Sequence, residues 1–270
     1  MSDIATTFAR LKREGRPGLV TYVTAGDPDL GRSAEILRAL DRAGADLLEV
    51  GVPFSDPVAD GPVIQRAAER AIAAGTTLAR VLDLVAGVRR SLTRPVVLFT
   101  YANPVFRMGL ETFRARAADA GVDGVLVLDL PVEEAGEVRE ALADKGIDMI
   151  FLLSPTTTKV RVRKAGDLGR GFLYAISRLG VTGTRDTVAD GVQALVARIR
   201  AETPLPVAVG FGISSPEQVR QVGRWADAAV VGSGLVRVIA EAGTAPDLVD
   251  RVESYVRWLI GGRGAQAYDH

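Results

Sequence analysis

One local pattern recurs along this chain and restricts its possible folds more than any other feature. A helical segment ends in small or polar residues, an aspartate follows, and an apolar strand begins directly after it. The four copies are AGAD at 43–46, AGVD at 120–123, KGID at 145–148 and RWAD at 224–227. Repeated helix-to-strand junctions of this kind are typical of βα units, in which helices cover a parallel sheet.

Eight short apolar segments fit the strands of such units. They are nearly continuous in Val, Leu, Ile and Ala, as expected for parallel strands buried on both faces. The segments are GLVTYVT from 18, LLEV from 47, VVLFTY from 96, GVLVLD from 124, MIFLLS from 149, FLYAIS from 172, VAVGFG from 207 and AAVVGS from 228. Eight units in a chain of this length predict a closed (β/α)8 TIM barrel, with an open doubly wound sheet as the alternative.

Additional helices are predicted at three places. A segment over 4–13 has apolar residues at helical spacing, and this N-terminal helix could close one end of the barrel. The span 62–91, after the second strand, is too long for one helix because Gly75-Thr76-Thr77 interrupts it. The segment 245–260 adds a helix after the eighth βα unit.

Length and composition favour one domain. The chain has 270 residues, of which 47% are hydrophobic, so it can bury one large core, and no linker divides it. We therefore expect a single barrel domain over 1–260 and a disordered Gly-rich tail over 261–270.

The balance of charge excludes several partners. The chain has 33 basic and 33 acidic side chains, so no net field attracts nucleic acid or an anionic membrane. No apolar run approaches the roughly 20 residues needed to cross a bilayer, and the polar N-terminus does not resemble a signal peptide. We expect a soluble, cytoplasmic protein without nucleic-acid or membrane partners.

The residue inventory excludes several kinds of catalysis. The chain has no cysteine, and its one histidine, His270, is the last residue, so a metal site, a cysteine nucleophile and a catalytic triad are disfavoured. None of the four lysines ends a predicted strand, which disfavours a Schiff-base aldolase. Carboxylates remain as the expected proton carriers.

Two carboxylates border the loop after the second strand. Glu49 lies within that strand, and the alternation of side chains points it into the barrel mouth. A strand-end carboxylate held by an arginine is the alternative interpretation of Glu49. Asp60 stands before Gly61-Pro62, where it could simply lie next to a helix start that has Gly61 as its N-cap.

Other strand ends suggest an aromatic pocket. The strand ends that form the functional face of a barrel carry Tyr22, Thr24, Phe99, Tyr101, Asp129, Tyr174 and Phe211. Such a mouth suits a flat apolar ligand that exchanges protons.

Glycine clusters follow the last three strands. They are Gly180-Val181-Thr182-Gly183, Gly210-Phe211-Gly212 and Gly232-Ser233-Gly234. Their backbone N–H groups favour a phosphate site, although glycines also serve tight turns.

The segment EVGVPFSDPVADGP at 49–62 closely resembles the signature of the tryptophan synthase α subunit family. Further motifs of that family follow the same order along residues 8–260. They are TAGDP at 24–28, YANP at 101–104, DLP at 129–131, SRLGVTG at 177–183 and GFGI at 210–213. One departure is Thr21-Tyr22, where the family frequently has Pro-Phe.

The resemblance implies a lyase that cleaves indole-3-glycerol phosphate into indole and glyceraldehyde 3-phosphate. Glu49 would match the acid/base residue, and Asp60 the carboxylate that binds the indole N–H and stabilises positive charge on the ring. The remaining substrate-binding positions implied by the resemblance are Tyr22, Phe99, Asp129, Tyr174, Thr182, Gly183, Phe211, Gly212, Gly232 and Ser233.

The resemblance also implies a partner. This is a β subunit that carries pyridoxal phosphate and receives indole through a tunnel in an αββα complex, so this chain would hold no cofactor itself. The implied interface positions are Pro53, Asp56, Asn103, Pro104 and Pro131. Two other functions stay open from the residues alone: another phosphate-sugar aldolase or isomerase on the same barrel, and a catalytically silent subunit that activates its partner.

Overall fold

Eight parallel strands close into a barrel in chain order. The computed structural model describes residues 2–176, 185–210 and 212–261, with backbone only for 185–190. Each strand pairs with its neighbours in sequence, and β1 pairs with β8. The strands are β1 (Gly18–Thr24), β2 (Leu47–Gly51), β3 (Val96–Thr100), β4 (Gly124–Val127), β5 (Asp148–Leu153), β6 (Leu173–Ile176), β7 (Val207–Gly210) and β8 (Ala228–Val231). The predicted TIM barrel is confirmed, and the open sheet is excluded.

Helices cover the outside of the barrel and one of its ends. They are α1 (Asp3–Glu14), α2 (Leu30–Ala43), α3 (Pro62–Ala73), α4 (Leu78–Arg89), α5 (Ala102–Met108), α6 (Leu110–Asp119), α7 (Gly136–Ala143), α8 (Lys159–Leu168), α9 (Arg185–Arg200), α10 (Pro216–Val222), α11 (Ser233–Ala242) and α12 (Leu248–Leu259). No single helix in the described ranges is long and apolar enough to span a bilayer; α3 and α4 meet that criterion only as a pair, bent by 92°.

The predicted additional helices are present, and a further division occurs after β3. The helix α1 precedes the barrel, α3 and α4 follow β2, and α11 and α12 follow β8. Between β3 and β4 the chain forms α5 and α6, which the sequence analysis did not separate. Gly109 divides them with φ +84° and ψ 132°, a conformation that an α-helix cannot contain.

Side chains of the strands alternate between the barrel interior and the helix layer. Leu47 belongs to the interior cluster, together with Val20 and Val97 on the neighbouring strands. Leu48 and Val50 belong to the outer cluster beneath the helices. Glu49 has the same parity as Leu47, so it is directed into the barrel, as predicted.

The N-terminal end of the barrel is closed by α1. Phe8 of this helix packs in the interior cluster, and its ring centroid lies 5.5 Å from that of Phe172. Arg10 donates to Asp46 at 2.8 Å, and Arg16 donates to both carboxylate oxygens of Asp46 at 2.8 and 2.9 Å. The aspartate of the first repeated junction therefore fixes the N-terminal segment to the barrel.

The repeated aspartates also connect neighbouring strands. Asp46 accepts the backbone N–H of Leu19 on β1 at 3.0 Å, and Asp123 accepts that of Val96 on β3 at 2.7 Å. Asp227 does the same with Val207 on β7 at 2.8 Å. At these three of the four junctions the carboxylate satisfies a donor at the start of the preceding strand, whereas Asp148 accepts the hydroxyl of Ser2.

We predict that Asp46→Asn lowers the unfolding free energy at pH 7 by about 2 kcal/mol, because a fully buried carboxylate loses charge-assisted hydrogen bonds. Burial raises the pKa of Asp46, but the hydrogen bonds from Arg16 and Arg10 outweigh it and hold the pKa below its usual value. The stabilisation is present above the unfolded pKa of about 4 and is lost as the pH falls through the lower folded pKa.

Urea unfolding at pH 7 and at pH 3 measures this effect. The difference in unfolding free energy between the unsubstituted protein and Asp46→Asn should be smaller at pH 3. Asp83→Asn is the matched control, because Asp83 is exposed and pairs with Arg116 on the surface. Equal losses of unfolding free energy for Asp46→Asn and Asp83→Asn at pH 7 would contradict the stabilising role assigned to the hydrogen bonds of Asp46.

Candidate active site

Glu49 is a buried carboxyl group without a partner. Its exposure is 0%, and neither side-chain oxygen has a hydrogen-bond partner among the described residues. Burial raises the pKa of Glu49 to about 8. The arginine-held alternative is therefore wrong, and the group is mostly protonated at neutral pH. A neutral carboxyl group in an apolar setting can donate a proton and then take one back.

Aromatic rings surround Glu49. Tyr22 on β1 is its partner in the strand register, and the rings of Tyr22 and Phe99 meet edge to face with centroids 5.1 Å apart. Gly51 leaves room for the Tyr22 ring, because a Cβ at this position would lie 2.2 Å from the Tyr22 hydroxyl oxygen. The glycine that ends β2 therefore permits the aromatic wall beside the acid.

Asp60 lies in the loop between β2 and α3 and is half-buried. The Tyr101 hydroxyl donates to its carboxylate at 3.0 Å and accepts the backbone N–H of Ala59 at 3.2 Å. The Gln65 side-chain amide donates to the Asp60 carbonyl at 2.9 Å. Burial raises the pKa of Asp60 to about 6, although the hydrogen bond from Tyr101 acts in the opposite direction. Asp60 is therefore mostly ionised at pH 7, unlike Glu49.

Gly61 is the N-cap of α3, and Pro62 is its first residue. The helix-start interpretation of this stretch is therefore correct for Gly61 and Pro62. It leaves Asp60 outside the helix, so its carboxylate is available for another role.

The two carboxyl groups lie in one electrostatic environment. Burial raises the pKa of Tyr22 most, and the charges of Asp60 and Glu49 raise it further. The pKa of Tyr174 is raised by burial and then by the charge of Glu49, with smaller effects from Tyr22 and Asp60. The structure thus brings Glu49, Asp60, Tyr22 and Tyr174 together at the mouth.

Two glycines near the mouth provide space for tyrosines rather than for an anion. A Cβ on Gly210 would lie 2.4 Å from the Tyr174 hydroxyl oxygen, and one on Gly234 would lie 2.5 Å from that of Tyr255. The structural explanation for glycines therefore holds at these two positions.

Gly212 and Gly232 remain available to a ligand. Gly212 has φ +55° and open space beside its Cα. Gly232 is the N-cap of α11, and Ser233 is its first residue, so the first N–H groups of this ten-residue helix face the end of β8. Thr182, Gly183 and Phe211 lie outside the described residues.

Asp129 is exposed, and its carboxylate accepts the backbone N–H of Ala102 at 2.7 Å. Ala102 is the first residue of α5, so Asp129 stabilises the start of that short helix. Its predicted contact with substrate remains a prediction.

A cavity of about 870 Å³ lies at the other end of the barrel, between α1 and the N-terminal ends of β6 to β8. Arg200 and Asp227 in its lining form an ion pair at 3.1 Å. The buried, unpartnered carboxyl group of Glu49, the half-buried Asp60 and the aromatic wall are at the mouth instead, so we place the candidate active site there. Among the residues that the structure describes, no group of three His, Cys, Asp or Glu side chains could hold a metal ion.

Comparison with known proteins identifies the family of this chain. Residues 8–259 match the family model described as "Tryptophan synthase alpha chain". The chain belongs to the tryptophan synthase α chain family. The α chain of Geotalea uraniireducens is 50% identical over 262 residues, which cover 97% of this chain and 98% of that protein.

Solved structures of the family have the same fold. The tryptophan synthase α subunit of Legionella pneumophila is 37% identical, with a TM-score of 0.88 over 96% of this chain and 97% of that one. A chain of the tryptophan synthase complex from Pyrococcus furiosus is 38% identical, with a TM-score of 0.82 over 90% of this chain and 98% of that one.

The rim of the mouth carries the positions that the α-family resemblance assigns to a partner. Asp56, Asn103 and Pro131 are exposed, and Pro104 is half-buried. Pro53 is buried within the chain, so a partner would reach it only through its neighbours.

Two exposed apolar residues on the same rim were missed by the sequence analysis. Val58 is 86% exposed in the loop before α3, and Phe106 is 54% exposed on α5. Their signal in the sequence is an apolar residue within a polar loop or short helix after a strand end, which is weak in a single sequence.

Tyr101 and Gln65 were also missed as site residues of this α chain. Tyr101 was predicted to lie at a strand end of the mouth but was given no role of its own, although its hydroxyl donates to Asp60. Gln65 lies in the first turn of α3, where its amide bonds back to the loop. A polar side chain four residues after the N-cap was the available signal for Gln65.

We predict that Tyr101→Phe raises the pKa of Asp60 above about 6, because the ionised carboxylate loses a hydrogen bond that favours it. A ¹³C NMR titration of carboxyl-labelled aspartate measures the change, and Asp60→Asn identifies the signal. Tyr255→Phe is the matched control on α12 and should leave this titration unchanged. A constant or lower Asp60 midpoint in Tyr101→Phe would contradict the assigned hydrogen bond.

Proposed function

We propose that this chain catalyses the α reaction of tryptophan biosynthesis, the cleavage of indole-3-glycerol phosphate to indole and glyceraldehyde 3-phosphate. The observation that carries the proposal is that the buried, unpartnered Glu49 and the largely ionised Asp60 belong to one aromatic mouth, where both act on Tyr22. Membership of the tryptophan synthase α chain family gives the reaction its substrate.

Glu49 performs both proton transfers in this proposal. Its neutral carboxyl group donates a proton to C3 of the indole, which places a positive charge on the ring. The resulting carboxylate then takes the proton from the hydroxyl on the carbon attached to C3. The bond between that carbon and C3 breaks, its electron pair restores the aromatic ring, and the carbon becomes the aldehyde of glyceraldehyde 3-phosphate. Glu49 ends in its starting protonation state.

Asp60 stabilises the charged intermediate in this proposal. Its carboxylate accepts the indole N–H and offsets the positive charge that forms on the ring. The hydrogen bond from Tyr101 supports the ionised form of Asp60 at neutral pH. The different pKa values of the two acids therefore match their different tasks.

The remaining substrate contacts are assigned by position. The indole ring would lie against Tyr22, Phe99, Tyr174 and Phe211, and the phosphate would bind at Gly212, Gly232 and Ser233. The N-terminus of α11 supports the phosphate assignment, because its N–H groups and dipole favour an anion. Thr182 and Gly183 would complete the site, and Asp129 would support it from the rim.

We infer that the mouth faces a tryptophan synthase β subunit that holds pyridoxal phosphate and takes up the indole, within a cytoplasmic αββα complex. Exposed Val58 and Phe106 support this inference, because each would be removed from water by a partner. The related chain from Pyrococcus furiosus belongs to a structure described as a tryptophan synthase complex. Residues 1–260 would act as one barrel domain without a cofactor of their own.

We predict that Glu49→Gln lowers kcat for indole release by about 10³-fold, because glutamine cannot transfer the proton. The assay supplies indole-3-glycerol phosphate to the purified protein, with and without a β subunit. Glu69→Gln makes the same chemical change on the exposed surface of α3 and should retain full activity. Full turnover by Glu49→Gln would refute the role of Glu49. If this chain still stimulates the β subunit after loss of both Glu49 and Asp60, it is a catalytically silent activating subunit instead.

A further inference from the structure

The helix that follows Asp60 is held in place by few large side chains. The buried residues of α3 are Ala67, Ala68 and Ala71, and Val63 and Ile64 add partly buried contacts at its N-terminal end. Alanines bury little apolar area, so they fix the orientation of a helix only weakly. The C-terminal half of α3 therefore depends on another contact.

That contact is an ion pair between Arg70 and Asp27. The Nε and Nη2 atoms of Arg70 donate to the two carboxylate oxygens of Asp27, each at 2.8 Å. Asp27 lies in the turn after β1 and is only 3% exposed. A bidentate arginine–carboxylate pair fixes orientation as well as distance. The turn after β1 therefore holds the last turn of α3 in a defined position.

The same turn also contacts the segment after α3. Gly26 has φ +87°, and a Cβ on it would lie 2.0 Å from the Thr76 hydroxyl oxygen. The turn thus lies against Arg70 on one side and Thr76 on the other. Any movement of the C-terminal end of α3 has to displace this turn, which is anchored to the barrel by β1.

The orientation of α3 determines the position of Asp60. Pro62 and Arg70 are eight residues apart in one helix, a rise of about 12 Å. A tilt of about 10° around Arg70 would therefore move the N-terminal end of α3 by about 2 Å. Because Gln65 connects the Asp60 carbonyl to α3, such a tilt would pull the carboxylate away from Tyr101 on the barrel. Displacements of about 1 Å in an active site can reduce rates by about 10²-fold.

We propose that Asp27 and Arg70 are positioning residues for the reaction, whose ion pair orients α3 so that Asp60 lies beside Tyr101 at the mouth. The pair touches neither the substrate nor the proton that moves, and it acts only through Asp60. This inference rests on the proposed function for its kinetic consequence, whereas its structural consequence, the placement of Asp60, can be measured separately.

The first test compares Asp27→Asn with a matched variant at the other end of the barrel. Asp27→Asn is expected to lower kcat/KM for indole release about tenfold. Asp46→Asn also removes a buried carboxylate from an arginine pair, but far from Asp60, so its folded form should keep kcat/KM within about twofold. Equal losses in the two variants, or no loss in Asp27→Asn, would overturn the proposal.

The second test asks whether Asp27 acts through Asp60. In an Asp60→Asn background the carboxylate is already absent, so Asp27→Asn should change kcat/KM by less than about twofold. A further tenfold loss in the double variant would mean that Asp27 acts by another route and would refute the proposal.

The third test does not depend on activity. In Asp27→Asn, the ¹³C titration midpoint of Asp60 should fall from about 6 towards the ordinary aspartate value, because hydration removes burial, the largest cause of the raised pKa, and outweighs the loss of the Tyr101 hydrogen bond. An unchanged midpoint would overturn the proposal.

If Asp27→Asn does not fold, Arg70→Lys is the alternative variant. It keeps the positive charge but loses the bidentate geometry, so it should lower both kcat/KM and the Asp60 midpoint in the same way. Lack of cleavage by the unsubstituted protein would refute the proposed function alone, since this titration would still report on α3.

Discussion

The removal of Glu49 from water is the constraint on which the rest of the site depends. A carboxyl group at the end of β2 has no hydrogen-bond partner in the described structure, and its pKa of about 8 keeps it neutral at physiological pH. Elsewhere in the described part of the chain, buried carboxylates have donors, as at Asp46 and Asp27. The exception at Glu49 is consistent with a group that must gain and lose a proton during a reaction.

The barrel separates the contacts that hold it together from the contacts that serve the chemistry. At the N-terminal ends of the strands, Asp46, Asp123 and Asp227 satisfy strand donors, and α1 covers the interior. At the opposite ends, the loop after β2 carries Asp60, and the ends of β1 and β3 carry the aromatic wall of Tyr22 and Phe99. Burying an unpaired Glu49 at one end lowers the stability of the fold. The large, well-packed core and the contacts at the other end offset this loss.

Much of this architecture could be predicted from the sequence, because the signals are local. The repeated junctions and continuous apolar strands predicted the barrel, the alternation along β2 predicted the direction of Glu49, and Gly61-Pro62 predicted the start of α3. The break between α5 and α6 was missed because Gly109 alone did not distinguish a turn from a helical glycine.

Contacts between distant parts of the chain could not be predicted in the same way. Tyr101 meets Asp60 across 41 positions, and Arg70 meets Asp27 across 43, and no short-range pattern encodes either pair. The pKa values of Glu49 and Asp60 also depend on burial, which a single sequence gives only as an expectation. The family resemblance named both acids, but the difference between their protonation states follows from their surroundings.

The most direct measurement is a ¹³C NMR titration of the Glu49 side-chain carboxyl group in the substrate-free protein, with Glu49→Gln used to identify its signal. We predict a midpoint near pH 8, well above the ordinary glutamate value of about 4.3. A midpoint near the ordinary value would show that Glu49 is hydrated or paired, and would contradict the claim that this acid is held neutral for proton transfer.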